Sequence, residues 1–252
     1  MEPRDGDTIV VWFSCGAASA VAAKKTLELY GNRCNVIVCN NPIAEEDEDN
    51  RRFLSDAEQW LGVQIQSVTH PAFPDSSCVE VWDKFSYMSG NNGARCTYIL
   101  KKKAREHWEK NNHYDWVVLG FTSDESDRHD RFKETQRDNI LPVLIKSNIS
   151  KQDCFNYLLE QGLTLPRMYH LGYPNANCIG CVKATSPTYW NHVRKVHPEV
   201  FRQRAEQSRR IGCTLVRHKG TKIYLDELPE DAIGYKMKEY EFECGIFCED
   251  KA

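Results

Sequence analysis

The sequence has no long apolar run and almost no net charge, and each absence excludes a class of protein. Of its 252 residues 41% are hydrophobic, but no stretch approaches the roughly 20 apolar residues of a membrane span. Residues 1–7 lack the apolar core of a secretory signal. A net charge of −3 argues against general binding to nucleic acid. We therefore expect a cytoplasmic protein with no membrane partner.

Cysteine, in contrast, is abundant, with 11 in the chain. Disulfides rarely persist in the cytoplasm, so some of these cysteines are expected to be metal ligands or nucleophiles. Other cysteines are expected to be small buried packing residues. We assign this packing role to Cys34, Cys39, Cys78, Cys154 and Cys213.

Strand-like and helix-like segments alternate through the first 165 residues. The predicted strands are residues 9–13, 35–39, 63–67, 116–121 and 141–145. The predicted helices are residues 19–30, 47–61, 97–111 and 150–162. This alternation predicts an α/β fold, a doubly wound and mostly parallel sheet of Rossmann-like type, with ligands at the carboxyl ends of its strands.

The pattern changes after residue 165, so we divide the chain into two regions. Residues 1–165 are the expected nucleotide-binding α/β domain. Residues 166–252 form a cysteine-containing, helical and irregular C-terminal extension that completes the site. In that extension we expect helices at 187–196 and 198–211 and a small hairpin within 215–225.

The first predicted strand leads directly into Ser14-Cys15-Gly16-Ala17-Ala18-Ser19 and then into an alanine-rich helix. Small residues allow the backbone to approach an anion, and a helix N-terminus adds positive potential, so this turn can hold a phosphate. The spacing fits neither a Walker A loop nor a Gly-x-Gly-x-x-Gly fingerprint. The alternative is ordinary α/β scaffolding.

Two closely spaced cysteine pairs and a third cysteine are candidate metal ligands. Cys178 and Cys181 form a C-x2-C pair, and Cys244 and Cys248 form a C-x3-C pair. Such spacings let two thiolates face one metal from a turn. Cys96 begins a predicted helix beside several lysines, a position that favours a thiolate. Spacing alone does not distinguish zinc from an iron–sulfur cluster.

These motifs together resemble a known family. The 14–19 loop is similar to the PP-loop of the adenine nucleotide alpha-hydrolase-like superfamily, although Cys15 and Ala18 stand where glycine and aspartate are usual. With Arg95-Cys96-Thr97-x3-Lys101, the 123–131 segment and the C-x2-C pair, the chain resembles the phosphoadenosine phosphosulfate (PAPS) reductase family and its phage and prophage relatives. The resemblance covers roughly residues 8 to 250.

The resemblance implies a set of cofactors and ligands. Cys96, Cys178 and Cys181 would ligate a [4Fe-4S] cluster, with Cys248 or Cys244 as the fourth ligand and zinc as the alternative metal. An adenine nucleotide (ATP, APS or PAPS) would bind at residues 14–19, and Arg128 or Arg131 would bind its anion. Ala18 makes cleavage of ATP doubtful.

The resemblance also implies a nucleophile. Glu243-Cys244-Gly245-Ile246 is similar to the motif whose cysteine attacks sulfonate sulfur in the family's reductases, with Phe247 where a histidine is usual. Cys244 is therefore the candidate catalytic residue, with a thioredoxin-like protein or another thiol as reductant. If Cys244 or Cys248 completes the cluster instead, no free tail nucleophile is required.

One segment of the chain is strongly basic. Between residues 192 and 222 there are nine Lys or Arg residues and two acids. Such a surplus can attract a nucleic acid or a polyanionic nucleotide, or it can be an ordinary basic helix face.

Three functions follow from these features. The first is reduction of a sulfonucleotide by an oxidoreductase of the APS or PAPS reductase type. The second is ATP- and cluster-dependent thiolation of tRNA or another nucleic acid. The third is a non-catalytic regulatory protein that binds nucleotide and cluster. Self-association into a homo-oligomer is compatible with any of them.

Overall fold

A five-stranded parallel sheet forms the centre of the protein. The structure is a computed structural model that describes residues 2–241. The strands of this sheet are β1 (Thr8–Phe13), β2 (Asn35–Asn40), β3 (Ile65–Ser67), β6 (Trp116–Val118) and β7 (Ile140–Leu141). They lie in the order β3-β2-β1-β6-β7, and every pairing is parallel. The predicted α/β class is confirmed.

Helices flank this sheet and form most of the C-terminal region. They are α1 (Ala17–Tyr30), α2 (Asp49–Leu61), α3 (Cys78–Phe85), a π-helix (Thr97–Lys103), α4 (Ala104–Asn111), α5 (Ser126–Thr135), α6 (Val143–Lys146), α7 (Lys151–Glu160), α8 (Arg167–His170), α9 (Pro187–Val196) and α10 (Pro198–Ile211). Two short antiparallel pairs complete the fold, β4 (Ser89–Gly90) with β5 (Gly93–Ala94) and β8 (Val216–His218) with β9 (Thr221–Ile223). None of the helices within residues 2–241 combines the length and apolarity needed to cross a membrane.

Both faces of the sheet are covered, which explains the continuous apolar run of β1. Ile9, Val11 and Phe13 pack into one buried cluster, whereas Val10 and Trp12 pack into a second. Because successive strand residues point to opposite faces, a strand buried on both faces requires an uninterrupted apolar sequence. The larger cluster includes residues from both predicted regions of the chain.

The strand order reverses between β1 and β6, and this reversal positions the candidate nucleotide loop. In open α/β sheets ligands bind at such a switch point, outside the carboxyl ends of the strands. Gly120 follows β6 and lies against the first turn of α1. A Cβ on Gly120 would lie 2.8 Å from the backbone nitrogen of Ser19, so only glycine permits this approach.

Several boundaries differ from the prediction. Residues 141–145 do not form a strand, because β7 ends at Leu141 and Pro142 leads into helix α6. The predicted helix 97–111 begins as a π-helix and only then becomes α4. The predicted helices 187–196 and 198–211 and the hairpin within 215–225 are confirmed. Helix α7 begins with a capping box of Ser150 and Asp153.

Candidate cysteine centre and nucleotide loop

Four cysteines line one cavity of about 350 Å³. Cys178 and Cys181 come from the loop between α8 and α9, Cys96 precedes the π-helix and Cys78 is the first residue of α3. The sequence predicted three of these four as ligands. The fourth, Cys78, was assigned to packing.

Glu45 holds Cys78 in place. Its carboxylate accepts hydrogen bonds from the Ser77 hydroxyl (2.9 Å) and from the backbone N–H groups of Cys78 (2.8 Å) and Val79 (3.2 Å). A carboxylate at a helix N-terminus satisfies free N–H groups and interacts favourably with the helix dipole. The first turn of α3, which carries Cys78, is therefore anchored to the loop after β2.

The C-x2-C turn is anchored to the same glutamate. The backbone N–H of Ile179 donates to the Glu45 carbonyl at 3.0 Å, and the Cys181 N–H donates to the Tyr189 hydroxyl at 2.8 Å. Between the two cysteines, Gly180 has a φ of +66°, where a Cβ would also meet Val200 at 3.1 Å. Glycine is therefore required for a turn that directs both thiols into the cavity.

Cys96 and Lys101 face the cavity together because of the π-helix. The Ala104 N–H bonds to the Ile99 carbonyl, five residues earlier, which is the defining repeat of this rare helix and a frequent mark of functional sites. Cys96 and Lys101 are also five residues apart, and both line the cavity. The Lys101 ammonium donates to the Glu46 carboxylate at 3.4 Å.

The thiols of the cavity perturb one another. The Cys178 and Cys96 thiols, together with burial, raise the pKa of Cys78 well above its ordinary value. The Cys78 thiol in turn lowers the pKa of Cys96, against the effect of burial. Burial of Lys101 opposes its charge, but the Glu46 carboxylate and the Cys178 thiol outweigh burial and raise the lysine pKa. Lys101 thus remains a cation beside the thiols.

Two buried donor groups that border the cavity have no hydrogen-bond partner among the described residues. They are Tyr173 Oη and Arg204 Nε. Unpartnered buried polar groups are costly and rare, so such a cluster indicates a ligand that accepts hydrogen bonds. The charged side chains lining the described cavity are Lys101, Lys183 and Arg204, all cationic. The occupant that this lining fits is an anion.

Within residues 2–241 no group of three or more His, Cys, Asp or Glu side chains is arranged to hold a metal ion. The four cysteines line one cavity, and four thiolates are the ligand set both of a structural zinc ion and of a [4Fe-4S] cluster.

The candidate nucleotide loop is ordered by its own serines. The Ser14 N–H donates to Ser19 Oγ at 3.0 Å, and Ser19 Oγ donates to the Gly16 carbonyl at 2.8 Å. Helix geometry leaves the N–H groups of Ala18 and Ser19 without an intrahelical acceptor. These two groups are available to an anion at the N-terminus of α1.

Cys15 is not a reactive thiol. Its side chain is 3% exposed, and the Asn40 amide donates to its sulfur at 3.6 Å. Burial, with a smaller effect from Glu46, raises the pKa of Cys15 to about 12. A thiol of this kind is a poor nucleophile at neutral pH.

Tyr169 connects the nucleotide loop to the cysteine centre. Its hydroxyl accepts the Ala17 N–H at 3.1 Å and also interacts with the backbone of Ala176, two residues before Cys178. Burial raises the pKa of Tyr169 above its ordinary value, so the phenol stays neutral. One hydroxyl therefore contacts the backbone of both candidate sites.

Arg128 and Arg131 lie on α5, beyond the carboxyl end of β6, and both are exposed. Arg128 pairs with Glu125, and Arg131 Nε donates to the Asp127 carbonyl at 3.2 Å. Their positions are at the predicted edge of the sheet, but their donors are directed to their own helix.

Three of the nine Lys and Arg residues in the basic 192–222 segment form ion pairs. Arg202 pairs with Glu199 of the same segment, Arg209 with Asp226 and Glu227, and Arg210 with Asp83. Arg204 is buried in the cavity. The free positive charge of this segment is therefore smaller than its sequence suggests.

Cys244 and Cys248 lie outside the described residues. The last described residues pack on α7, where the Glu241 backbone exchanges two hydrogen bonds with the Gln152 side chain (2.7 and 3.2 Å) and the Tyr240 ring lies against Phe155. Phe155 also contacts Tyr169, the residue that bonds the nucleotide loop. The described chain thus leads to the neighbourhood of that loop.

Cys78 is the functional candidate that sequence reasoning missed. It has no partner cysteine nearby in sequence, and a lone buried cysteine is usually a packing residue. The available signal was local. Ser77 is a helix N-cap residue that accepts the Glu80 N–H, so Cys78 lies at a helix N-terminus, as Cys96 does.

No protein-family model and no curated protein sequence matches this chain.

Proposed function

We propose that this protein is an iron–sulfur enzyme that binds an adenine nucleotide and reduces a sulfonucleotide of the APS or PAPS type. The observation that carries the proposal is the convergence of Cys78, Cys96, Cys178 and Cys181 on one cavity. Four thiolates are the usual protein ligand set of a [4Fe-4S] cluster. When bound, this group would supply a polarising or redox centre close to the substrate.

The remainder of the cavity also suits such a group. A cluster ligated by four thiolates carries net negative charge, and its sulfur atoms accept hydrogen bonds. The cavity offers cationic side chains and unpartnered N–H and O–H donors, and no acidic residue lines its described part. An occupant without hydrogen-bond acceptors would leave these donors unsatisfied.

The ligand count favours reduction over thiolation. Delivery of sulfide to a nucleic acid requires a cluster with one iron that is free to bind sulfur. Four protein thiolates occupy all the positions of a [4Fe-4S] cluster. This argument favours the small-nucleotide reaction.

With Cys78 as the fourth cluster ligand, Cys244 is not needed as a ligand and is available as the nucleophile. In the proposed reaction the Cys244 thiolate attacks the sulfonate sulfur, the sulfur–oxygen bond to the nucleotide phosphate breaks, and the nucleotide leaves. A thiol, from a thioredoxin-like protein or another donor, then attacks Cys244 Sγ and expels sulfite. The two thiols are oxidised to a disulfide in this step.

The nucleotide would bind at residues 14–19, with its phosphate at the N–H groups of Ala18 and Ser19. Ala18 provides no carboxylate at the position where PP-loop enzymes have aspartate, so no ATP cleavage is required of this site. Sulfonucleotide reduction does not need ATP cleavage, because the substrate already carries the activated sulfonate.

Metal analysis tests the cluster and its fourth ligand. We expect anaerobically purified wild-type protein to contain about four iron atoms and four sulfides per chain. The Cys78→Ser variant should lose most of this iron, because the fourth thiolate is removed. The matched control is Cys39→Ser, which changes a fully buried cysteine in the other core cluster. Equal iron in the two variants would exclude Cys78 as a ligand, and a single zinc in the wild type would reject the cluster.

A sulfite-release assay then distinguishes the proposed functions. With APS or PAPS and a dithiol, the wild type should release sulfite, and Cys244→Ser should release none while it retains its iron. Loss of iron in Cys244→Ser would instead identify the tail cysteine as a ligand. Nucleotide binding without sulfite release from either substrate would favour a regulatory protein.

A further inference from the structure

Arg204 is a buried cation at the cysteine centre that the proposed reaction does not use. It lies on α10, is 3% exposed and lines the cavity with the four cysteines. Arginine is almost never buried to this extent unless it is paired with an anion. Its environment therefore determines what Arg204 does.

The protein atoms around Arg204 leave its charge uncompensated. One terminal nitrogen donates to the Gln207 amide oxygen at 2.7 Å, and the guanidinium lies over the Trp82 ring, 4.8 Å from its centroid. Neither contact supplies a negative charge. Among the described residues no carboxylate pairs with this guanidinium, and Nε has no acceptor. A buried charge without a counter-ion is strongly unfavourable.

The position of Arg204 indicates where the missing anion lies. Its Cγ and Nε atoms are 3.2 and 3.6 Å from the point that a Cβ of Gly180 would occupy. Gly180 is inside the Cys178–Cys181 turn, so the side chain lies directly against the segment that carries two thiols. The guanidinium also lies over the ring of Trp82, which lines the same cavity.

We propose that Arg204 is the counter-ion of the iron–sulfur cluster held by the four cysteines. The inference rests on the proposed function, because the cluster is its missing anion. Arg204 stabilises the bound cluster through its positive charge and through an Nε–H donor directed to the cluster or its thiolates. Positive charge favours the more negative, reduced form, so Arg204 raises the reduction potential of the cluster.

The same helix supplies a matched control. Arg202 lies two residues earlier on α10, is exposed and pairs with Glu199. Arg202→Met changes the net charge by the same amount as Arg204→Met but does not alter the cavity. Arg204→Lys keeps the positive charge and loses the planar donor group.

Two measurements on these three variants and the wild type test the inference. The first is thermal stability of the protein with its cluster and after the cluster has been removed by chelation. Arg204→Met should be as stable as the wild type or more stable without the cluster, because an unpaired buried charge has been removed. It should release iron to a chelator about tenfold faster than the wild type when the cluster is bound.

The second measurement is a redox titration followed by optical or EPR spectroscopy. Arg204→Met should shift the one-electron equilibrium about tenfold toward the oxidised form, which corresponds to about 59 mV. Arg204→Lys should restore most of that shift, and Arg202→Met should match the wild type.

The outcomes separate this inference from the proposed function. Absence of iron from the wild type rejects the cluster, and the inference with it. A wild-type cluster whose potential and chelator resistance are unchanged in Arg204→Met rejects the counter-ion role alone. Equal destabilisation of the cluster-free and cluster-bound Arg204→Met proteins would show that the arginine is only a packing residue. If Arg204→Met does not fold, the Arg204→Lys variant carries both measurements, and an unchanged iron release in it rejects the donor role of Nε.

Discussion

At the scale of single residues, Cys15 shows how the candidate nucleotide loop departs from the signature it resembles. Its φ of +53° is in the left-handed region that glycine adopts without strain. The signature has glycine at this position, whereas here a buried cysteine side chain packs under Asn40. The loop therefore keeps a glycine backbone conformation with a side chain added.

This strain predicts an inverted order of stability for two substitutions of Cys15. Both Cys15→Ala and Cys15→Gly lose the thiol contacts, but only glycine relieves the left-handed strain. We expect Cys15→Gly to be more stable than Cys15→Ala by about 1 kcal/mol in denaturant unfolding. The control is Ala22→Gly, at a buried helical position of α1. This variant should be less stable than the wild type by about 1 kcal/mol. Finding alanine more stable at both positions would contradict the strain at Cys15.

The residues of the cysteine centre differ in how far the sequence reveals them. Cys178 and Cys181 are predictable because a two-residue spacing forces both thiols to one side of a turn. Cys96 is predictable from its place at the start of a helix beside several lysines. Cys78 is not, because only the folded contact of Glu45 with both the α3 N-terminus and Ile179 brings it to the cavity. Sequence spacing carries no information about such a tertiary contact.

At the scale of elements, the loop after β2 organises the centre through one residue, Glu45. Glu45 bonds two backbone N–H groups of α3, and its carbonyl bonds the C-x2-C turn. Removal of the carboxylate leaves the first turn of α3 without its acceptor. The cysteine on that turn then loses its fixed orientation.

We therefore expect Glu45→Ala to lower the free energy of unfolding by about 1 to 2 kcal/mol, the usual cost of a lost helix N-terminal acceptor. Iron bound per chain should also fall, because Cys78 is the first residue of that helix. Glu45→Gln keeps an acceptor oxygen and should recover part of both losses. Glu48→Ala is the control, since that glutamate is 82% exposed. Equal effects of the Glu45 and Glu48 substitutions in denaturant unfolding would show that the Glu45 carboxylate does not stabilise the N-terminus of α3.

The elements that sequence reasoning missed lack a local signature. The π-helix has no characteristic composition, and its apolar and basic residues fit an α-helix equally well. Residues 143–145 form a short apolar run, and such a run fits a strand or a buried helix. In contrast, α9 and α10 begin at prolines, which favour the first helical turn, and α10 ends at a glycine in left-handed conformation. Their ends were therefore predicted correctly.

At the scale of the whole molecule, the class of fold followed from periodicity, whereas the strand order did not. Alternating strands and helices require a parallel sheet, because parallel neighbours need crossover connections. The placement of β6 beside β1 depends on packing at Gly120 and on the two buried clusters. That placement puts the nucleotide loop at a switch point, and Tyr169 joins this loop to the segment before Cys178.

Buried cysteines away from the centre also affect the stability of the whole molecule at alkaline pH. Burial raises the pKa of Cys39 and of Cys154 from the ordinary value of 9.0 to about 12. Burial lowers the pKa of Lys151 from 10.5 to about 8. Between pH 8 and pH 10.5 this shift makes the free energy of unfolding rise with pH, whereas the shifts of the cysteines make it fall between pH 9 and pH 12. Two such cysteines act against one such lysine, so their net effect between pH 9 and 10.5 is a loss of stability.

The sign for the cysteines follows from proton binding. Below pH 9 both the folded and unfolded states keep the thiols protonated, so stability is unaffected. Between pH 9 and 12 the unfolded state releases protons that the folded state retains, and each thiol lowers the free energy of unfolding by about 1.4 kcal/mol per pH unit. Cluster-free, reduced protein should therefore become less stable in urea as the pH rises from 9.

Substitution of Cys39 isolates this effect from all other titrating groups. Cys39→Ala should make the alkaline decline of unfolding free energy shallower by about 1.4 kcal/mol per pH unit, because one perturbed thiol is gone. Val117→Ala is the control, since it removes packing from the same buried cluster without removing a titrating group. It should lower stability equally at every pH and leave the slope unchanged. Parallel curves for the wild type and Cys39→Ala between pH 9 and 10.5 would contradict the raised pKa of that thiol.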